Sequence, residues 1–306
     1  MRSPSLLLAL SLGAACNAGS DPGHLDAGLA PDDAGMQAQM DAATHADASD
    51  HERDASQPGK HGDAGTDAAV DLALPPINAG FDYQLGGGYP PPSGVGIVSR
   101  DRTDEPAKGL FNVCYVNGFQ VQPGEEQRWA QDLILRDAAG NAIIDPDWNE
   151  ALLDVSTADK RTRIAAMLNG FMDGCANAGF DAVEIDNLDS YARSKGKLTQ
   201  ANAVALMALL SGHAHSRGLA IAQKNSTELL ARRAEMGTDF AVAEECSRYD
   251  ECKDYVDAYG SHVLMIEYRK ADFDKGCKAY GSTHSIVLRD LDLVPKGQAG
   301  YLFDDC

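Results

Sequence analysis

The chain has 306 residues, with 46 Asp or Glu against 26 Lys or Arg and a formal net charge of −20. A balance this acidic argues against nucleic-acid binding, which needs a basic surface, and it is compatible with a cationic ligand. After the N-terminal 16 residues, no apolar segment approaches the roughly 20 residues that a membrane-spanning helix requires.

The N terminus has the features of a bacterial export signal. Arg2 supplies the positive charge, residues 6–12 form an apolar run too short to span a bilayer, and residues 13–15 are small. Cys16 follows directly, which indicates cleavage in front of a cysteine that then carries a lipid. Gly13 stands where such lipoprotein signals usually have leucine, so plain secretion stays open as the alternative. Residues 1–16 therefore predict an exported chain, either a cell-surface or periplasmic lipoprotein or a secreted protein.

Residues 17–75 are dominated by Ala, Asp, Gly and His. They carry 12 acidic residues against Arg53 and Lys60. Low hydrophobicity and repulsion between like charges cannot offset the entropy cost of ordering such a chain. The segment is therefore predicted to be a disordered linker that holds the following domain, residues 76–306, away from a membrane.

Six cysteines lie in the predicted domain: Cys114, Cys175, Cys246, Cys252, Cys277 and Cys306. An even number in an exported chain favours disulfides, for which about 15 connectivities are open. Cys246 and Cys252 are close enough in sequence to close a small loop, and Cys277 with Cys306 would tie down the tail. Because no Cys-x-x-Cys spacing or neighbouring histidine pair is present, no metal or cofactor is predicted.

Short apolar runs alternate with helical patterns from residue 80 onward. The runs predict strands at 80–85, 110–117, 151–155, 180–186, 219–225, 240–245, 262–268 and 284–290. Helical spacing predicts helices at 159–178, 199–217, 226–234 and 249–258, with Asp159 as the first cap and Gly179 as the stop. This alternation indicates parallel strands covered by helices, and eight strands fit an α/β fold of the (β/α)8 TIM-barrel type. A doubly wound sheet is the alternative.

Most of these predicted strands end in polar residues. They are Asp82 and Gln84, Tyr115 and Asn117, Asp154, Glu184 and Asp186, Lys224 and Asn225, Glu244 and Glu245, Glu267 and Tyr268, and Arg289 and Asp290. In a barrel all these ends meet at one face, where such folds keep their active sites. A doubly wound sheet brings together only the ends at its switch point. The polar ends therefore favour the barrel and predict an acidic pocket.

The stretch 179–191 contains the clearest catalytic candidates. In an extended chain alternate side chains share a face, so Ala182, Glu184 and Asp186 point the same way. Two carboxylates on one side of a buried strand are costly, and function can explain them. Glycoside hydrolysis needs one carboxylic acid for the leaving oxygen and one carboxylate as nucleophile or base, in environments that separate their pKa values. Asp186 and Glu244 are predicted to be this pair.

Several segments at or near the ends of predicted strands contain acidic or aromatic residues and follow a definite order along the chain. They are Phe-Asp-Tyr-Gln-Leu at 81–85, Cys-Tyr at 114–115, Gly-Phe-Asp-Ala-Val-Glu-Ile-Asp-Asn-Leu-Asp at 179–189, Ala-His at 214–215, Gly-Leu at 218–219, Gln-Lys-Asn at 223–225, Asp-Phe-Ala-Val-Ala-Glu-Glu-Cys at 239–246, Glu-Cys at 251–252 and Ile-Glu-Tyr at 266–268. In kind and order they resemble glycoside hydrolase family 114, over nearly all of residues 80–295. The resemblance implies a TIM-barrel fold and endo-α-1,4-polygalactosaminidase activity.

The resemblance further implies that Asp186 and the acid of the Glu-x-Cys element are the catalytic carboxylates. By position, Glu244 fits the second role; Glu245 is the rival, because only one of two adjacent acids can face the barrel. The implied substrate-binding residues are Asp82, Gln84, Tyr115, Glu184, Asn187, Asp189, Tyr191, Lys224, Asn225, Glu267 and Tyr268. Gln223 and Ala243 stand where Leu and Asn are common in the family, which leaves the sugar open.

The expected partner is a galactosamine-containing, cationic polysaccharide, cleaved by a monomeric exported hydrolase with a lipid anchor at Cys16. The alternative is a surface lipoprotein that binds such a polymer without cutting it. The presence of Asp186 together with Glu244 favours the enzyme, because a binding protein does not need two carboxylates aimed at one bond. A metal-dependent deacetylase would require a cluster of His and Asp ligands, which the sequence does not contain.

Overall fold

The computed structural model of the protein describes residues 72–306. The predicted signal peptide, the lipidation candidate Cys16 and nearly all of the predicted linker lie outside the described residues. None of the helices within 72–306 is both long and apolar enough to cross a membrane.

The strands described in residues 72–306 form one sheet in sequence order, with β1 to β8 parallel and β9 antiparallel to β8. Because β8 also packs beside β1, the sheet curls into a nearly closed barrel, and the predicted TIM-barrel fold is confirmed. The strands are β1 (Gly80–Gln84), β2 (Val95–Asp101), β3 (Phe111–Asn117), β4 (Ala182–Asp186), β5 (Ala220–Lys224), β6 (Phe240–Glu244), β7 (Val263–Glu267), β8 (Ser285–Arg289) and β9 (Phe303–Asp305).

Helices follow β3 and each later parallel strand up to β7. They are α1 (Ala158–Ala178), α2 (Ser190–Arg193), α3 (Gln200–Ser216), α4 (Arg233–Met236), α5 (Cys252–Tyr259) and α6 (Lys270–Tyr280), with short 3-10 helices at Glu126–Arg128, Gln131–Leu133 and Thr227–Arg232. The helix predicted at 226–234 is therefore a 3-10 turn leading into α4, and α6 was not predicted. β1 and β2 lead into loops instead of helices.

The ends of α1 show how local sequence sets a helix boundary. The predicted cap at Asp159 is wrong, because the side chain of Thr157 accepts the hydrogen bond from the backbone N–H of Lys160. The predicted stop is confirmed: Gly179 adopts a left-handed conformation with φ 95°, which closes the helix and turns the chain into β4.

Two strand predictions differ from the structure. Residues 151–155 are not a barrel strand; Ala151, Leu152 and Leu153 instead make isolated antiparallel bridges within the long excursion between β3 and α1. Asp154, expected in the pocket, pairs with Lys160 at 2.5 Å. The strand that completes the barrel is β2, which was not predicted because no helix separates it from either neighbour.

Alternation along each strand separates the barrel interior from the layer beneath the helices. On β4, Ala182 packs inside with Phe81 and Phe240, whereas Val183 and Ile185 belong to the core shared with α1 and α3. Both faces are apolar, as expected for parallel strands that are covered on both sides. The side chains at every second position after Ala182 along β4 therefore also face the inside, toward the carboxyl end of the barrel.

Three disulfides tie elements together in the described chain: Cys114–Cys175 joins β3 to α1, Cys246–Cys252 closes a small loop, and Cys277–Cys306 joins α6 to the C terminus. The last two are the pairs that spacing favoured. The bond at Cys306 holds the tail where β9 pairs with β8 beside the seam of the barrel.

Candidate active site

A cleft of about 1050 Å³ opens at the carboxyl ends of the barrel strands. This is the end where TIM barrels keep their active sites, because the loops that follow the strands meet there. Its lining includes most of the predicted site residues, namely Tyr115, Asp186, Asn187, Asp189, Lys224, Asn225, Glu244, Glu245 and Tyr268.

Lys224 lies at the centre of the cleft floor, at the end of β5. Its side chain is only 2% exposed, and its ammonium lies 3.0 Å from Glu184, 3.3 Å from Asp186 and 3.3 Å from Glu244. Burial lowers the pKa of Lys224, but the surrounding carboxylates outweigh burial and raise it well above its usual value. Lys224 is therefore a permanent cation that links three carboxylates.

Asp186 ends β4 and faces the cleft with 21% of its side chain exposed. Its Oδ2 accepts a hydrogen bond of 2.7 Å from the hydroxyl of Tyr115, and its Oδ1 accepts one of 3.3 Å from Lys224. Burial raises the pKa of Asp186, but the charge of Lys224 and the hydrogen bond from Tyr115 outweigh it, so the pKa lies below the usual range. Asp186 is therefore held as a carboxylate.

Glu244 ends β6 and faces Asp186 across Lys224. Its Oε2 accepts a hydrogen bond of 3.0 Å from the Asn225 side chain, and its Oε1 accepts one from the hydroxyl of Tyr268. The side-chain Oδ1 of Asn225 in turn accepts a 2.8 Å hydrogen bond from the backbone N–H of Glu244. These contacts fix the orientation of the carboxyl group.

Glu245 also reaches the cleft, but it lies apart from the three-carboxylate centre. Its backbone has a positive φ of 55°, which turns the chain out of β6. Its side chain pairs with Arg248 at 2.5 Å rather than with Lys224. Geometry therefore favours Glu244 over its rival as the partner of Asp186.

Glu184 lies one layer below the cleft floor and is fully buried. Its carboxylate accepts hydrogen bonds of 2.5 Å from Tyr83, 2.9 Å from Ser99 and 3.0 Å from Lys224. Burial raises the pKa of Glu184, against the opposing effects of Lys224 and Tyr83. Glu184 cannot touch a substrate, contrary to its predicted binding role, and instead positions Lys224.

Three other predicted binding residues point away from the cleft because of strand parity. On β1, Phe81 and Tyr83 face the barrel core, so Asp82 and Gln84 lie on the opposite face. There Gln84 donates a 2.7 Å hydrogen bond to Asp82, which also pairs with Arg289 at 3.1 Å.

Glu267 follows the same rule on β7, where Ile266 faces inward. Its carboxylate is buried and accepts a 2.7 Å hydrogen bond from the backbone N–H of Ser247. Tyr191 is also absent from the cleft wall, although its hydroxyl donates to Glu228, which lines the cleft.

Several cleft residues were missed because they lie in loops, several residues beyond the end of the preceding barrel strand. The excursion between β3 and α1 contributes Asp147, Trp148 and Glu150, and the loop after β6 contributes Tyr249. Trp148 and Tyr249 are 62% and 57% exposed, which is unusual for large aromatic side chains. The Trp-Asn-Glu triplet at 148–150 lies directly before residues that were wrongly predicted to be a strand. For this reason its position at the cleft was not predicted.

A parallel barrel with two carboxylates facing each other in an open cleft is the arrangement of a glycoside hydrolase. The model of glycoside-hydrolase family GH114 matches residues 62–306. The match covers well over half of the chain, so the protein belongs to this family and is a glycosidase.

Two solved structures show the same fold at low sequence identity. Ega3 of Aspergillus fumigatus, solved in complex with galactosamine, is 19% identical, with a TM-score of 0.62 over 77% of this chain and 100% of Ega3. The glycoside hydrolase domain of PelA from Pseudomonas aeruginosa is 14% identical, with a TM-score of 0.52 over 72% of this chain and 98% of that domain. A search of curated proteins found no match.

Proposed function

We propose that the protein is an exported endo-acting glycoside hydrolase that cleaves α-1,4-linked galactosamine polysaccharide with Asp186 and Glu244. One observation carries the proposal: both carboxylates lie 3.3 Å from the same buried ammonium at the floor of the cleft. Fold stability gives no reason for two partly exposed carboxylates to face one open space, whereas glycoside hydrolysis requires them.

The charge of the cleft supports a cationic sugar as substrate. Its lining contains ten carboxylate residues, from Asp101 to Asp292, against only Arg193 and Lys224. A galactosamine polymer with free amines is positively charged near neutral pH, so this surface would attract it and raise its local concentration. The structure of Ega3 with galactosamine is consistent with such a ligand on this fold.

The two carboxylates take different roles in the proposed reaction. Asp186, held ionised by Lys224 and Tyr115, is the nucleophile that attacks the anomeric carbon as the glycosidic C–O bond breaks. Glu244 enters this step in its protonated form, gives the proton to the leaving oxygen and then takes a proton from the water that hydrolyses the glycosyl–Asp186 ester. Both carboxyl groups regain their starting states.

The separation of the carboxylates is compatible with retention of configuration. Asp186 Oδ1 and Glu244 Oε2 are each 3.3 Å from Lys224 Nζ, so they are separated by at most twice that distance. Retaining enzymes have carboxyl groups about 5–5.5 Å apart, whereas inverting enzymes need about 6.5–9.5 Å to admit a water molecule. The limit set by Lys224 applies to the two oxygens that face its ammonium and includes the separation of retaining enzymes, which agrees with Asp186 as the nucleophile.

Export and anchoring belong to the same proposal. All six cysteines in the described domain form disulfides, as expected in an oxidising compartment. The signal at residues 1–16 would direct the chain out of the cytoplasm, Cys16 would carry the lipid anchor, and residues 17–75 would act as the spacer.

The test is release of reducing ends from α-1,4-galactosamine polymer by the purified full chain, with NMR of the first anomer formed. Asp186→Asn and Glu244→Gln are each expected to lower kcat/KM at least ~10³-fold, roughly 4 kcal/mol of transition-state stabilisation. Glu245→Gln should lose far less, because its carboxylate pairs with Arg248.

The outcomes separate the alternatives. Equal product from the parent and Asp186→Asn would overturn the assignment of Asp186, and a first product of inverted configuration would overturn the nucleophile role. Binding of the polymer without any product would show a surface binding protein in place of an enzyme.

A further inference from the structure

A tight turn at 145–150 brings two side chains of different chemistry to the cleft wall. The backbone N–H of Asp145 donates a 2.8 Å hydrogen bond to the carbonyl of Glu150, and that of Asn149 donates one of 2.9 Å to the carbonyl of Asp145. Asn149 has a φ of 57°, a conformation that asparagine tolerates better than most residues. The turn thereby places Trp148 and Glu150 at the cleft.

The turn is fastened to the barrel through Asp145, which is fully buried. Asp145 accepts a 2.8 Å hydrogen bond from the side chain of Gln120 and pairs with Arg193 of α2 at 2.5 Å. A buried, fully engaged carboxylate at the base of the turn restricts its movement. The backbone that carries Trp148 and Glu150 is therefore held in place before any ligand arrives, which lowers the entropy cost of binding.

Glu150 is a half-buried carboxyl group that no cation neutralises within residues 72–306. Its Oε2 accepts a 2.7 Å hydrogen bond from Asn117, which pairs with Asp186 across β3 and β4. Burial, together with the negative charges of Asp186 and Asp145, outweighs the Asn117 hydrogen bond and raises the pKa of Glu150 to about 7. The same groups make this part of the cleft attractive to a positive charge.

Trp148, two residues before Glu150 on the same turn, is 62% exposed and lines the same cleft. The C–H face of a pyranose ring is apolar and can cover an exposed indole, and tryptophan is the side chain that best attracts a cation to its face. An aromatic ring that lines the same cleft as an unneutralised carboxyl group matches a ligand that has an apolar face and a positive charge. A protonated amino sugar has both.

We propose that Trp148 and Glu150 form an amino-sugar subsite beside Asp186, where Glu150 binds the ammonium of a galactosamine unit and Trp148 stacks on its ring. This subsite rests on the proposed galactosamine substrate and adds a basis for selecting it. An N-acetylated unit has no charge to pair with Glu150, so the subsite distinguishes free from acetylated amines. Because a bound cation favours the ionised carboxyl group, Glu150 releases its proton when the sugar binds.

The kinetic test compares free-amine and N-acetylated α-1,4-galactosamine polymers with the full-length protein and its variants. Glu150→Gln keeps an oxygen that accepts from Asn117, and it should lower kcat/KM on the free-amine polymer ~10-fold or more, mainly through KM, with little change on the acetylated polymer. Trp148→Ala should lower kcat/KM on both polymers. The matched control is Glu126→Gln, an exposed acid of the same excursion that does not line the cleft.

Calorimetry with a galactosamine oligomer tests the subsite independently of cleavage. Binding at pH 7, close to the pKa of Glu150, should release part of a proton from the parent and from Glu126→Gln, and this release should be lost in Glu150→Gln. A Glu150→Gln variant that weakens both polymers equally, or that still releases the proton, would overturn the ammonium role of Glu150.

The two proposals can fail separately. A parent that binds the oligomer with proton release but cuts neither polymer would refute the hydrolase and support the subsite. Cleavage that Glu150→Gln leaves unchanged on both polymers would refute the subsite alone.

Discussion

Replacing Lys224 by methionine tests whether the carboxylates of the site depend on one ammonium. Lys224 is 2% exposed and contacts the carboxylates of Glu184, Asp186 and Glu244 at 3.0–3.3 Å. Methionine keeps most of the apolar stem of lysine and fills irregular space well. The substitution therefore removes the charge with little change in packing.

The expected loss of stability follows from the buried carboxylates that remain without their cation. Removing one partner of a buried ion pair costs about 3–5 kcal/mol, because the other charge remains buried. Glu184 is fully buried and falls in that range, whereas Asp186 and Glu244 are 21% and 25% exposed and add less. We expect the free energy of unfolding at pH 8 to fall by about 4 kcal/mol.

The loss should depend on pH with a defined sign. Without Lys224, burial and mutual repulsion raise the pKa values of the carboxyl groups above those of the unfolded chain. The folded state then binds more protons than the unfolded state, so stability falls as pH rises. The loss relative to the parent should therefore be smaller at pH 5 than at pH 8.

Urea unfolding followed by circular dichroism at both pH values measures this effect. Adding Glu184→Gln to Lys224→Met should recover part of the loss at pH 8, because it removes the most deeply buried charge. The control is Lys253→Met, at an exposed lysine that pairs with Asp257 along α5, and its midpoint should not change measurably. A Lys224→Met variant that matches this control, or that loses equal stability at both pH values, would refute the reasoning.

Three further perturbations test other parts of the structure. Arg289→Met should lower the free energy of unfolding by about 3–5 kcal/mol, because it leaves the fully buried Asp82 without its partner at 3.1 Å; an unchanged thermal midpoint would contradict this. Replacing both Cys277 and Cys306 by serine should cost about 3–4 kcal/mol by freeing a loop with a sequence separation of 29, and a denaturation midpoint equal to that of the parent under non-reducing conditions would show that the bond adds no constraint. Glu150→Gln should stabilise the protein at pH 8 more than at pH 5, because the pKa of Glu150 is raised from 4.5 to about 7 in the folded state, so stability falls as pH rises through that interval; equal urea midpoint shifts at both pH values would contradict this sign.

Short-range pattern was enough to predict much of the barrel and its central carboxylates. Parallel strands buried on both faces appear as apolar runs, and helices between them have their own period and end signals. Period-two alternation placed Glu184 and Asp186 on one face of β4, and both accept hydrogen bonds from the same side chain in the structure. These features depend on residues close in sequence.

Features without a local signal were missed or misplaced. β2 lies between two loops rather than beside a helix, and residues 151–155 resemble a strand although they only bridge within the excursion. Trp148 and Glu150 reach the cleft because the excursion folds back over the barrel end. Nothing near them in sequence indicates that contact.

The sequence by itself determined which residues alternate along each strand and which strands end in polar groups. Only the tertiary structure decided which parity faces the barrel, because that depends on how neighbouring strands register and close the sheet. This parity moved Asp82, Gln84 and Glu267 away from the cleft, and the left-handed turn at Glu245 left Glu244 opposite Asp186. The buried ammonium of Lys224 then sets the ionisation of Asp186 through space, across strands that local pattern does not connect.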